Sequence, residues 1–476
     1  MSFKTRLLPT AESPLDLLLF NQYDCQRYPF LLSSSASREH NTQYDILIAC
    51  PQEVLTLNAD KTLRLSGGHP SKESALNADI DSQAGFFNTL EKLYQHDKCE
   101  VSSESNDIPF TGGWFVYLSY EMAGEVEPRL SLSPLPTGQP LAVAARCPAA
   151  IIFDKRKKQY LAIAETNFEF LLDELEQDYL ALLEKSKQVD PLDDNGIVLE
   201  SLHEAETSDY LQQVEQIKRY IFDGDIFQAN LSRRWTATLK HDVDDVVLFD
   251  KLSKQNPSSF AAMACLDSVT IISSSPERLV SLRDGIVETR PIAGTRPRDS
   301  DQQNDEALAK ELLSHPKEQA EHIMLIDLER NDLGRVCRPG TIEVNELMAL
   351  ESWEHVHHIV SNVRGELEKG KSPIDVLRAV FPGGTITGCP KVRCMEILAE
   401  LEQEARGAYT GSLGYINTDG SMDFNILIRT MVRDKNTRPN EIIFRAGGGI
   451  VSDSIAEKEL AETRAKAKGL LKIFNR

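Results

Sequence analysis

Strand follows strand in both halves of this chain. Residues 148–153 and 159–164 read as a hairpin around Asp154-Lys155-Arg156-Lys157-Lys158, and strands over 259–265, 268–274 and 284–290 succeed one another. Helical spacing appears between these groups. It marks 84–97, with Phe86, Phe87, Leu90 and Leu93 inward, then 167–187 and a segment capped by Ser208 in which Tyr210, Leu211, Val214, Ile217 and Ile221 recur. Further helices are expected near 315–334, 372–380, 391–403 and 456–473, and strands at 409–416, 422–431 and 440–446. This order favours an α+β fold, a large two-sheet α/β sandwich with outer helices, over a doubly wound parallel sheet. At 476 residues the chain can form two or three ordinary domains or one large fused sandwich. Linker composition over 188–207 divides an N-terminal region, 1–190, from a second region, 208–476.

Charge narrows the partners. A formal net charge of −21 argues against nucleic acid, because phosphate binding needs clustered Lys and Arg. A local basic pocket can still receive an anionic small substrate. The eight cysteines include no Cys-x-x-Cys pair, so a zinc ribbon or thioredoxin-like site is not expected. The first residues lack the apolar core of a signal peptide, and no apolar run is long enough to span a bilayer. A reduced, cytoplasmic protein without a membrane segment is the expectation.

The helix near 315–334 carries the most chemistry. Pro316 suits its first turn and Gly334 its end. Glu318 and Glu321, three residues apart, share one face. Far away in sequence, Glu459, Glu462 and Lys466 stand at i, i+3 and i+7, again on one face. Glu-rich helix faces are usually just solvated. Two such edges brought together would suit Mg²⁺, which takes oxygen ligands and keeps places for water and substrate.

Several loops bear on the same chemistry. Phe381-Pro382-Gly383-Gly384-Thr385-Ile386-Thr387-Gly388-Cys389-Pro390-Lys391 leads into a helix, but it lacks the order of a P-loop. Gly447-Gly448-Gly449 is either an anion-binding nest of backbone amides or a bulge or tight turn. Glu277 follows a strand end in Ser273-Ser274-Ser275-Pro276-Glu277, where burial would suit it to general acid work. His357 and His358 would face opposite ways on a strand, so at most one enters a site. With His355 they make three histidines in four residues, a spacing that fits neither a zincin nor a zinc finger. Arg429 ends an apolar strand, where its guanidinium needs an anionic partner such as a substrate carboxylate.

These segments together resemble the chorismate-utilising family, which includes anthranilate synthase large subunits, component I of aminodeoxychorismate synthases, and isochorismate and salicylate synthases. The matching pieces are Gly224–Arg233, Ser273–Arg278, Arg290–Arg298, Glu318–Gly334, Phe381–Lys391, Ala446–Val451 and Glu459–Lys466, in family order across nearly all of 208–476. The first 190 residues resemble the companion N-terminal region of the aminating branches. The resemblance implies that Glu318, Glu321, Glu459 and Glu462 hold Mg²⁺ against the ring carboxylate of chorismate. It implies that Arg429 and Lys466 neutralise substrate carboxylates, and that Thr387 and the Gly447, Gly448 and Gly449 backbone contact the ring carboxylate. Glu277 matches the general acid for loss of the 4-hydroxyl, and His358 the active-site histidine.

Position 228 separates the chemistries. Water-using members resemble one another in a Lys there; this chain has Gln228, which cannot act as a base. That implies ammonia as nucleophile, delivered by a separate glutamine amidotransferase subunit. Two products remain open. Ala293 stands where aminodeoxychorismate synthases show a nucleophilic Lys, which resembles an anthranilate synthase, and alanine cannot do nucleophilic chemistry. Val356–Ser361 and Ser273–Glu277 resemble the aminodeoxychorismate form, which serves the folate route through p-aminobenzoate. Leu31-Leu32-Ser33-Ser34 lacks the acid of an element that resembles a tryptophan-feedback site, leaving a tryptophan in the N-terminal region as a possible further ligand. A non-catalytic tryptophan- or chorismate-binding regulator is the third reading, and the four carboxylates argue against it.

Overall fold

The computed structural model describes residues 3–9, 15–34, 43–67, 85–99, 108–186, 196–299, 301–352 and 356–475. His355 and all of 188–195 lie outside them. Among the described residues two large sheets form, one of 13 strands and one of 11. All pairings are antiparallel except that of Phe474–Asn475 with Ile197–Glu204. Sheet-on-sheet architecture with outer helices is therefore what the chain adopts.

Both sequence halves enter both sheets. In the larger sheet, Phe30–Ser33 from the N-terminal region pairs with Phe260–Cys265. In the smaller, Gly113–Leu118 pairs with Ser412–Asn417. The aromatic run Trp114–Tyr117 is buried at every position. Trp114 joins one apolar cluster with Leu279 and Phe424, and Phe115 another with Phe30 and Ile271. Alternate residues of one strand thus supply two cores, as a strand period of two requires.

Four segments depart from their sequence reading. Within the 188–207 linker, Ile197–Glu204 is a strand that pairs with Gln228–Leu239 in the larger sheet. The helix assigned to a Ser208 cap is Thr207–Phe222 and its N-cap residue is Glu206, which gives no side-chain cap; the helix starts two residues early and Ser208 lies inside it. Gly447–Gly449 is neither nest nor turn. It continues the Glu441–Ile450 strand, in register with Asn230, Leu231 and Ser232 of Gln228–Leu239. The reason is close approach: a Cβ at Gly447 would lie 2.4 Å from the Leu231 carbonyl oxygen, and one at Gly449 2.2 Å from Gln228 Nε2. Arg429 does not end a strand. It sits at φ 51° between Met422–Asn425 and Thr430–Asp434.

No helix among the described residues is long and apolar enough to cross a membrane.

Candidate active site

Glu277 is at the centre. The Val269–Ser275 strand runs buried to its end, and Pro276 turns the chain out of the ladder. The Glu277 carbonyl accepts from Ile426 N at 3.0 Å, and the Ser275 hydroxyl donates to the Ile426 carbonyl. These bonds fix the loop that carries Arg429. The Glu277 side chain is buried, and burial pushes its carboxyl up to about 7. The Thr385 hydroxyl, the Ile292 backbone, Arg429 and Lys466 act in the other direction. The net result is a carboxyl protonated in good part near neutrality, the condition a general acid needs.

Arg429 is pulled down from its ordinary value by burial, and Glu277 is the carboxylate that opposes this. Among the described residues it makes no ion pair. His358 stands near it on the Val356–Glu366 strand. Burial, then Arg429, lowers its imidazole to about 4, while the ring's hydrogen bond to the Gly294 backbone acts oppositely. The ring is therefore neutral at physiological pH. His357 faces the other way: Nδ1 meets Ser352 Oγ at 2.7 Å and Nε2 meets Asp305 Oδ1 at 2.9 Å. Ala293 pairs with Ile359 and follows Ile292, whose backbone bonds Glu277, so position 293 borders this group.

The acidic helix edges meet beside it. Glu318 and Glu321 lie near the start of Pro316–Leu333, and Glu459 and Glu462 on Ala456–Leu471. Gly448 is the meeting point for the second pair: its notional Cβ lies 3.4 Å from Glu459 Oε2 and 3.5 Å from Glu462 Oε1. Glu321 is raised by burial and then by Glu318, Asp453 and Glu459, against Lys317. Glu459 is raised by burial and by Glu462, against Ser454, Lys317 and Lys466. Basic side chains answer part of this charge. Arg296 Nη1 donates to Glu318 at 3.1 Å, Lys317 Nζ to Asp453 at 2.9 Å, and Lys466 lies 2.9 Å from Glu462 and bonds the Gly447 carbonyl. The donors are hard oxygens of the type Mg²⁺ takes, and their mutual repulsion is what a divalent cation relieves. Among the described residues no three His, Cys, Asp or Glu side chains converge closely enough to hold an ion in this conformation.

Gln228 opens the Gln228–Leu239 strand, opposite Cys389. It is buried, and its Oε1 has no partner among the described residues. Thr387 is fully buried, and its hydroxyl donates to the Gly383 carbonyl at 2.7 Å. That proton is committed to the loop in this conformation.

Sequence reasoning passed over Thr385, Lys317, Asp453 and Arg296. Thr385 stood inside the Phe381–Lys391 motif without a role; its hydroxyl reaches Glu277. Gly294 lies within the Arg290–Arg298 segment. It has φ +68°, and a Cβ there would lie 2.8 Å from Glu318 Oε2, so the small residue makes room for the acid. In the N-terminal region, Ser33 and Ser34 line a separate cavity with Tyr44, Phe260 and Tyr415. The Ser33 hydroxyl and Ser34 N–H both bond Asp45, which pairs with Lys155.

Known proteins resemble this chain over most of its length. The family described as chorismate binding enzyme matches residues 28–472. The aminodeoxychorismate synthase component 1 of Bacillus subtilis is 41% identical over 392 residues, covering 80% of this chain and 79% of that protein. The anthranilate synthase component 1 of Synechocystis is 38% identical over 472 residues, covering 94% and 90%. The crystal structure of anthranilate synthase component I from Streptococcus pneumoniae superposes with a TM-score of 0.76 at 31% identity, covering 91% of this chain and 93% of that one. This chain belongs to the chorismate binding enzymes.

Proposed function

We propose that the chain is component I of an aminodeoxychorismate synthase. It takes chorismate and ammonia to 4-amino-4-deoxychorismate and water, with ammonia supplied by a separate glutaminase subunit. The observation that carries this is the juxtaposition of a buried Glu277, bonded by Thr385 and with its carboxyl pushed up to about 7, with an Arg429 that makes no ion pair among the described residues. Arg429 and Lys466 bind the substrate carboxylates. Glu277 donates its proton to the 4-hydroxyl as the C–O bond breaks, and water leaves. Ammonia forms the new C–N bond, and the proton it sheds restores Glu277. His358, neutral, orients the substrate without adding charge. Gln228 cannot take a proton from water, and its unpartnered Oε1 is an acceptor for an N–H. Glu318, Glu321, Glu459 and Glu462 would hold Mg²⁺, which supplies neutralising charge to a substrate carboxylate when bound. The Val356–Ser361 and Ser273–Glu277 segments support the C4 product.

Ala293 favours a second reading, the large subunit of an anthranilate synthase, which gives anthranilate and pyruvate. Product analysis separates the two. The purified chain is incubated with chorismate, Mg²⁺ and ammonium salt without any lyase. A 4-amino product that retains the enolpyruvyl group is expected; anthranilate with released pyruvate overturns the first reading in favour of the second.

A further inference from the structure

Behind Glu277 lies a second buried carboxyl with no counter-charge of its own. Glu329, on the Pro316–Leu333 helix, is 5% exposed. Its nearest cation is already used. Lys391 Nζ bonds Asp332 Oδ2 at 2.7 Å, the Pro382 carbonyl at 3.2 Å and the Val380 carbonyl at 3.3 Å. An ammonium group has three protons, and these three acceptors take them all. Its single charge is balanced by Asp332, itself 1% exposed. A carboxylate at Glu329 would be a second, uncompensated buried anion, which loss of hydration disfavours.

The position of Glu329 links it to Glu277. A Cβ added at Gly384 would lie 3.2 Å from Glu329 Oε1, so this carboxyl packs directly against the Gly384 backbone. The next residue, Thr385, donates its hydroxyl to Glu277 Oε1 at 2.8 Å. The two acids thus stand against adjacent residues of one loop. The charged groups facing Glu329 are Asp332 on its own helix, Lys391 on the Lys391–Glu402 helix, and Glu277. Those facing Glu277 are Arg429 and Lys466. Burial first, then the Asp332 charge and the Glu277 charge, holds the Glu329 carboxyl protonated through neutral pH.

We propose that Glu329 is a positioning residue for the general acid: Glu277 and Glu329, on either side of Gly384–Thr385, form one coupled carboxyl pair that carries at most one negative charge through neutral pH. When Glu277 has given up its proton, Glu329 stays neutral. Once Glu329 ionises at higher pH, its charge holds the proton on Glu277. The proposal rests on the role given above to Glu277.

Two measurements test it. The first needs no activity. Thermal stability is followed against pH for the wild type, Glu329→Gln, Glu277→Gln and the double variant. An acid whose folded-state pKa is raised binds more protons folded than unfolded, so its carboxyl costs stability as pH rises from the ordinary carboxylate range to the folded value. The Glu329→Gln gain over wild type should therefore grow with pH. It should be smaller in the Glu277→Gln background above neutrality, where the opposing charge is gone. Additive effects at every pH overturn the pair. Glu329→Met, which removes the carboxyl at similar volume, replaces Gln if that variant does not fold. The second measurement is the pH dependence of kcat/KM with chorismate. The ratio of wild type to Glu329→Gln should rise between pH 6 and pH 9, by up to about tenfold for coupling of one pK unit. A purely structural role gives a constant ratio and overturns the proposal. If neither protein turns over chorismate, the functional reading fails, while the stability series still decides the pair.

Discussion

The Thr385 hydroxyl donates to Glu277 Oε1 at 2.8 Å, which ties the glycine-rich loop ahead of the Lys391–Glu402 helix to the end of the Val269–Ser275 strand. This bond favours the carboxylate and so lowers the Glu277 pKa against the effect of burial. Replacing Thr385 by Val removes it. The carboxyl then keeps its proton to higher pH, and the alkaline limb of kcat/KM moves up by as much as about one unit, equivalent to a hydrogen bond of about 1.4 kcal/mol. A pH–rate profile of Thr385→Val checks this, and a limb that stays or moves down contradicts it.

Glu277→Gln keeps the shape of the side chain but not its proton. Turnover should fall by about two to four orders of magnitude, the usual worth of a positioned acid. The same variant should gain stability relative to wild type as pH rises toward about 7, because the raised carboxyl costs folding energy over that window. Lost activity together with this pH-dependent gain separates removal of the acid from damage to the fold.

The facing acids predict a metal response that can be read without turnover. Mg²⁺ at a hundredfold excess over its Kd should stabilise the folded chain by about 2.7 kcal/mol. Affinity should increase with pH, because Glu321 and Glu459 are both raised and must lose their protons to ligate. Replacing Glu459 and Glu462 together by Gln should abolish the thermal shift. Calorimetric titration of the wild type and this double variant checks both statements.

The legible parts of this molecule were those whose signal is local. The Pro316–Leu333 helix announced itself by Pro316, and Glu318 and Glu321 followed from helical spacing. The sandwich followed from strands adjacent in sequence. What escaped depends on distant pairing. Nothing near Phe30 or Gly113 in sequence says that their strands join Phe260–Cys265 and Ser412–Asn417. Glu329 carries no local signal; what sets it apart is that Lys391 and Asp332 satisfy one another. The glycines at 447–449 gave an ambiguous signal, because glycine marks both a turn and a close approach of backbones; only the neighbouring strand decides between them.

That close approach has a stability consequence. An alanine at Gly447 would bring its Cβ to 2.4 Å from the Leu231 carbonyl oxygen, a backbone atom held in the ladder. Relief requires the two strands to shift, at a cost of about 1–3 kcal/mol. Gly448→Ala meets only the carboxylate ends of Glu459 and Glu462 at 3.4 and 3.5 Å, which are the far ends of flexible side chains. Denaturant unfolding should therefore rank Gly447→Ala well below Gly448→Ala, whose midpoint should stay closer to wild type.

Arg429 poses binding against stability. Burial lowers its pKa, so the fold bears the cost of its charge, and among the described residues only Glu277 acts to offset it. An anionic substrate would pair that charge. Arg429→Met should then leave the free protein at least as stable as wild type, because a poorly compensated cation is replaced by an apolar chain. It should also weaken chorismate binding by about 2 kcal/mol or more, roughly 30-fold or more in KM. Thermal melting of the free variant and steady-state kinetics are the two readouts. A variant that loses stability but keeps KM would assign Arg429 to the scaffold and remove it from the carboxylate site.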